Sequence, residues 1–309
     1  MRLLARLVVA AVLALAHAAV AMAEPIHVGY TAVGDFFPLF IAKEEGFFAK
    51  RGLDVEPVLV PLNPIIPQAL MANSLQIGGA TPSIFLQAVD GGIDLVAIAG
   101  DTVTGPVVYQ NSGVVARPDS NINRPEDFLG KTVGVPGIGA FMHVLFRQWL
   151  ASKGVDDKQV TFVEVAFFNM SDALRSRSVD AVLTGQPVLS RIEEAGIGRV
   201  AFHYIEDLPP RQSVLLFASM RGWAEQNATA ARAFKAAIAE ASQFARSHPD
   251  KTRDHVSKYT KMPLPLTQKV AIADMEPEIS EAQLAWWVDI MRKNDMLEPP
   301  IDVSRLIFR

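Results

Sequence analysis

The residues best suited to chemistry in this chain are small and neutral. Gly137-Ile138-Gly139-Ala140 falls where an apolar stretch, TVGV, gives way to a helical pattern, and its two glycines and alanine lack the bulk that would keep a ligand away from backbone N–H groups. A helix start of this kind can hold an anionic group, because its unpaired N–H groups and the helix dipole both favour negative charge there. Thr81 and Ser83, at a second junction reading GGATPS, could serve the same purpose from an opposite wall. Phe36, Phe37, Phe141, Phe167 and Phe168 fall in or beside equivalent loops and would make a flat apolar surface for a ligand body. Adjacent side chains diverge, so one phenylalanine of each pair is expected toward a site and the other into a core. Asn63, Asn169 and Gln186 can orient a ligand through neutral polar groups, although Asn169, with Asp172 three residues on, equally suits a helix cap. Asp35 could bind a ligand amine. The candidate ligand-binding set is therefore Asp35, Phe36, Phe37, Asn63, Thr81, Ser83, Gly137, Gly139, Ala140, Phe141, Phe168, Asn169 and Gln186.

Catalytic patterns find no support. His27, His143, His203, His248 and His255 have no metal-ligand spacing such as H-E-x-x-H, there is no G-x-S-x-G elbow, and the chain has no cysteine. Neither a catalytic residue, a metal site nor a cofactor is expected.

Elements that would position these loops repeat along the chain. PLFIAKEEGFFAKRGLDV reads as an amphipathic helix running into a glycine stop at Gly52 and then an alternating strand. ALMANSLQIGGATPS and, about a hundred residues later, DALRSRSVDAVLTGQPV each read helix, polar turn, apolar strand and proline-containing loop. Strands are expected near 26–30, 53–60, 76–79, 95–99, 114–117, 132–135, 160–165, 179–184, 199–204 and 213–219. Helices between them at this spacing argue an α/β fold with parallel sheets covered on both faces. Ligands of such sheets sit beyond the carboxyl ends of the strands, which selects the loops 31–37, 61–63, 80–83, 137–141, 166–169 and 185–187. After 219 the rhythm stops, and helices are expected at 227–246 and 281–294. If the chain crosses between lobes near 107–112 and returns near 213–219, the lobes are 24–112 with 214–309, discontinuous, and 113–213.

Arg2 and Arg6 precede an apolar run ending in Ala21-Met22-Ala23, so residues 1–23 read as an export signal, its apolar core being shorter than the roughly 20 residues a spanning helix needs. Without cysteine neither a disulfide nor a lipid-modified cysteine can form, and a free periplasmic protein is expected. Removing the signal leaves 27 basic against 33 acidic residues, a formal charge of −6, which offers no general attraction to nucleic acid.

In their order and spacing, PLFIAKEEGFFAKRGLDV, QALMANSLQIGGATPS, VVARPDSNINRPEDFLGKTVGV, DALRSRSVDAVLTGQP and NATAARAFKAAIAEASQFARSHPD resemble the periplasmic substrate-binding proteins of ABC importers in the nitrate, sulfonate and taurine group, which also holds thiamine-pyrimidine relatives. The resemblance implies a two-lobed, type II-like binding protein whose lobes are mostly parallel sheets joined by two crossover strands. It further implies a small-molecule ligand held between the lobes and delivery to an ABC permease with its cytoplasmic ATPase. A monomer is expected. Members of that group often carry Trp or Tyr beside the Pro187 loop, where this chain has Thr184-Gly185-Gln186. The ligand expected is a small organic anion, a sulfonate or an aromatic or aliphatic carboxylate. The alternatives are a pyrimidine-type thiamine precursor, or a sensor that docks on a receptor. Synthases of the thiamine pyrimidine also resemble the chain distantly, but their cysteine-rich motif is missing here.

Overall fold

The computed structural model describes residues 24–298 and 301–309, so the expected export signal lies outside the described residues. The chain opens with β1 (Ile26–Tyr30), α1 (Phe37–Glu44), β2 (Val55–Leu59), α2 (Ile66–Met71), β3 (Ile77–Ala80), α3 (Pro82–Asp90) and β4 (Leu95–Gly100). It then crosses through α4 (Pro106–Asn111) into β5 (Ser112–Ala116), β6 (Thr132–Val135), α5 (Phe141–Ser152), β7 (Thr161–Glu164), α6 (Met170–Arg175), β8 (Ala181–Gly185), α7 (Val188–Glu194) and β9 (Arg199–Phe202). The return brings β10 (Leu216–Met220), α8 (Arg221–Gln226), α9 (Ala228–Ser247), α10 (Pro249–Thr260), α11 (Leu264–Thr267) and α12 (Glu281–Lys293).

Two five-stranded sheets result, ordered β2-β1-β3-β10-β4 and β7-β6-β8-β5-β9. The two orders are the same pattern. In each, a central strand is flanked by the two that follow it in its βα run, and the fourth place is taken by a strand that has just come from the other side of the molecule. That fourth strand is antiparallel: β10 to β3 and β4, β5 to β8 and β9. The other ladders, β1 with β2 and β3 and β6 with β7 and β8, are parallel. The sequence repeat is thus a repeat of topology.

Crossing segments lie side by side. Thr104 N donates to Gln212 O, Arg211 N to Thr104 O and Val214 N to Thr102 O, all at 2.8–2.9 Å, making a short antiparallel ribbon at 102–104 and 211–214. A third segment buttresses it, with Val103 N donating to Asp274 O and Glu276 N to Asp101 O. The ribbon is also anchored by Trp287 on α12, fully buried, whose Nε1 donates to Ser213 O at 2.8 Å and whose ring lies 5.6 Å from that of Phe141 on the other lobe.

Local chemistry explains most boundaries. Thr81 accepts from Ile84 N and Pro82 fills the first turn of α3, where a missing N–H costs nothing. Ser280 and Gln283 form a reciprocal capping box that starts α12. On α9 the residues Ala231, Phe234, Ala237 or Ile238, Ala241 or Ser242 and Ala245 make one buried face, and Phe234 stacks on Phe48 at 5.2 Å while meeting Phe217 of β10 edge-on.

Three expectations need correction. The first helix does not run to Gly52; it ends at Glu44, and a separate turn of 3₁₀ helix over Ala49–Arg51 precedes Gly52 at φ +72°. Helix α10 was not expected, because PDKTRDHVSKYT is polar apart from the stripe Thr252, Val256 and Thr260 that it buries. Asn169 makes no side-chain cap on α6. Trp287 leads to a direct test: Trp287→Ala is expected to cost about 3–5 kcal/mol in urea unfolding, through lost packing against both lobes and an unpaired Ser213 carbonyl.

Candidate functional site

A cavity of about 40 Å³ lies between the two sheets, at the carboxyl ends of their parallel strands. Thr31, Val33 and Asp35 reach it from the loop after β1, Asn63 from the loop after β2 and Thr81 from the end of β3. Pro136, Ala140, Phe141 and Met142 close it from the turn into α5, Phe167 from the loop after β7, and Val214 and Leu215 from the returning crossover.

Five predicted residues therefore meet in one place: Asp35, Asn63, Thr81, Ala140 and Phe141. Asn63 is already committed there, its Nδ2 donating to Gly79 O at 3.1 Å and its Oδ1 accepting from Thr81 N at 3.0 Å, so it fixes the start of α3. Ser83 stands behind the wall, fully buried, sharing a hydrogen bond with Thr81 Oγ1 at 3.1 Å.

The other predicted residues lie elsewhere. Phe36 and Phe37 both go into the core; Phe36 packs against Tyr30, Phe40 and Phe217 and fills the space that a Cβ at Gly79 would need. In the second pair the side chains do diverge, but Phe167 faces the cavity and Phe168 faces solvent, 43% exposed. Asn169 is exposed. Gln186 turns to its own helix, Oε1 accepting from Ser190 N, while its backbone bonds Asn111 O and Gly34 N.

In the Gly137-x-Gly139 turn the amides of Ile138, Gly139 and Ala140 are already taken within the protein. Ile138 N donates to the Glu164 carboxylate at 2.9 Å, Gly139 N to His143 Nδ1 at 2.9 Å, and Ala140 N to Gly137 O at 3.1 Å. Burial, followed by the Arg147 charge, pushes the His143 imidazole down to about 4, so near neutrality it is uncharged and able to accept that bond.

Electrostatically the cavity is acidic. No lysine or arginine is among its lining residues, and burial pushes the partly buried Asp35 up to about 6. Behind it stands Asp101, 1% exposed, with no hydrogen-bond partner for either carboxylate oxygen among the described residues. Burial, and then the charge of Asp35, hold Asp101 well above the usual carboxylate range. Thr102 Oγ1 donates to Asp35 O at 2.7 Å and so ties the loop after β1 to the crossover. The sequence reading missed Asp101, although an acid directly after the apolar strand LVAIAG marks a charge at a buried strand end. It also missed Met142, Pro136, Val214 and Leu215, whose apolar types carry no signal distinct from core.

A family model described as NMT1/THI5 like matches residues 34–252. The chain belongs to the NMT1/THI5-like family. A putative binding protein of Brucella abortus (strain 2308) is 28% identical over 249 residues, covering 79% of this chain and 74% of that protein. The formylaminopyrimidine-binding protein of Halalkalibacterium halodurans is 26% identical over 220 residues, 69% of this chain and 63% of that one. Among solved structures, the alkanesulfonate-binding protein SsuA of Xanthomonas axonopodis pv. citri, bound to MOPS, superposes with a TM-score of 0.76 at 19% identity, covering 92% of this chain and 98% of that one. This member of the NMT1/THI5-like family therefore has the two-lobed fold of periplasmic binding proteins, as its sequence led us to expect.

The buried acids set a pH dependence whose sign is fixed. A carboxyl whose folded value lies above its unfolded value favours folding when protonated, and that contribution is lost as pH rises through the folded value. Asp101→Asn is accordingly expected to raise stability at pH 7.5, on the order of 1 kcal/mol, and to give little gain at pH 4, as read by urea unfolding at both pH values.

Proposed function

We propose that this chain is the periplasmic solute-binding component of an ABC importer, with lobes formed by 24–112 plus 214–309 and by 113–213, capturing a planar nitrogen heterocycle of the aminopyrimidine kind. The observation that carries the ligand class is Asp35, a carboxyl of raised proton affinity in a cavity otherwise lined by Phe141, Phe167, Met142 and aliphatic side chains. A ring bearing an amino group beside a ring nitrogen offers a donor and an acceptor on one edge. A protonated Asp35 answers both, its O–H donating to the ring nitrogen and its other oxygen accepting from the amino group, while the phenylalanines cover the ring face. An anion would meet Asp35 with like charge and no basic side chain to offset it. Similarity to a formylaminopyrimidine-binding protein supports the same class.

The cavity lies between the two lobes, so the lobes part on the crossover ribbon to admit the ring and close around it, gaining contacts from both sides. Delivery is to a permease and its ATPase, and the ligand is released unchanged.

A second reading keeps the organic anion. The N-termini of α3 and α5 both open on the cavity, through Thr81 and through Ala140 and Phe141, and helix starts favour negative charge.

Calorimetry on residues 24–309 separates the two. 4-Amino-5-hydroxymethyl-2-methylpyrimidine is expected to bind saturably, and Asp35→Asn to weaken it roughly ten- to a hundredfold, the worth of a charge-assisted hydrogen bond. Binding of alkanesulfonates alone, tightened by Asp35→Asn, would replace the heterocycle with the anion.

A further inference from the structure

The glycine turn that looks in sequence like a ligand cradle meets the opposite lobe instead. Gln87 projects from α3, and its Nε2 donates to Ser83 O on its own helix at 3.0 Å and across to Gly139 O, at the entrance to α5, at 2.9 Å. Both amide hydrogens thus have acceptors, one in each lobe. Gly139 holds φ +79°, and a Cβ there would stand 2.6 Å from Gln87 Oε1. A Cβ at Gly137 would stand 2.6 Å from Pro64 Cδ, again on the first lobe. From the other side His143 fixes the turn by accepting from Gly139 N. Gln87, Pro64, Gly137 and Gly139 are all absent from the cavity lining.

The lack of bulk at 137 and 139 therefore admits the partner lobe. Away from the crossover segments, where Trp287 and Gln283 also bond across, the other polar links between the lobes are weaker: Gly34 N donates to Gln186 O at 3.3 Å, and Lys269 pairs with Glu194 between exposed side chains, where screening leaves little.

We propose that Gln87 and the 137–139 turn form an inter-lobe clasp that holds the closed state, so that ligand release is governed by a positioning residue that does not touch the ligand. The inference rests on the reading of a binding protein that opens and closes, and adds to it the residue that sets the balance.

The chain has no cysteine, so Met71→Cys and Leu129→Cys, at positions 57% and 42% exposed, take spin labels without competing thiols. Distances between the labels, measured by pulsed electron resonance on residues 24–309 without ligand, are expected to shift to longer values in Gln87→Ala and in the near-isosteric Gln87→Glu. Lys269→Ala is expected to leave them unchanged. For 4-amino-5-hydroxymethyl-2-methylpyrimidine, dissociation from Gln87→Ala is expected to be roughly two- to tenfold faster, the effect of one hydrogen bond. Distance distributions identical to the parent's in both folded Gln87 variants would overturn the clasp. If the pyrimidine fails to bind the parent, the ligand proposal falls, while the distances still decide the clasp.

Discussion

Everything else in this molecule depends on the short ribbon by which the chain crosses from one sheet to the other and back. Its backbone hydrogen bonds, among them those at Thr102, Thr104 and their partners Arg211, Gln212 and Val214, hold two antiparallel segments together where the chain passes between the sheets. Because each segment runs on into a strand, β5 and β10 enter their sheets against the prevailing direction, and each sheet is finished by chain delivered through the ribbon. The same segment carries Asp101 and, through Thr102, grips the loop that holds Asp35. Lobe connection, sheet completion and the acidic side of the cavity are one piece of covalent structure.

That arrangement brings opposed electrostatic effects together in the cleft. Two helix starts favour negative charge, by an amount that stays below about 2 kcal/mol each even in partly buried geometry. Beside them stand two carboxyls whose removal from water raises their affinity for a proton, Asp35 on the cavity wall and Asp101 behind it. Only Asp35 of the two lines the cavity, so it and the two helix starts are the charge-bearing groups that face the cavity directly.

Much of the architecture was legible in the sequence because periodicity reports burial, and burial here follows regular elements. The strands at 26–30 and 132–135 have the expected bounds, and the loops at strand ends do converge on the cavity. What was not legible is direction within a loop. Phe36, Phe37 and Phe168 share residue type and location with Phe141 and Phe167, and only the packing of Phe36 beneath Gly79 and the outward turn of Phe168 tell them apart. Likewise a glycine pair before a helix reports that something approaches closely; whether that is a ligand or another lobe is decided by residues such as Gln87 and Pro64, about fifty or more positions away. Helix α10 escaped notice for a related reason, since three buried residues in twelve leave too faint a stripe.

The place of β10 has a consequence for the order in which the chain can become structured. Strands β5 to β9 lie within 112–202, so the second sheet can form as soon as that stretch is available, whereas β3 and β4 have no strand between them until residues 216–220 arrive. During synthesis or passage through a membrane pore the first-made half of the protein would therefore wait, with two apolar strand edges unpaired, for a segment more than a hundred residues behind it. Such edges invite pairing with other chains. The later-made sheet could then close before the earlier one, whose exposed interval is set by the time needed to deliver the chain from Asp101 to Met220.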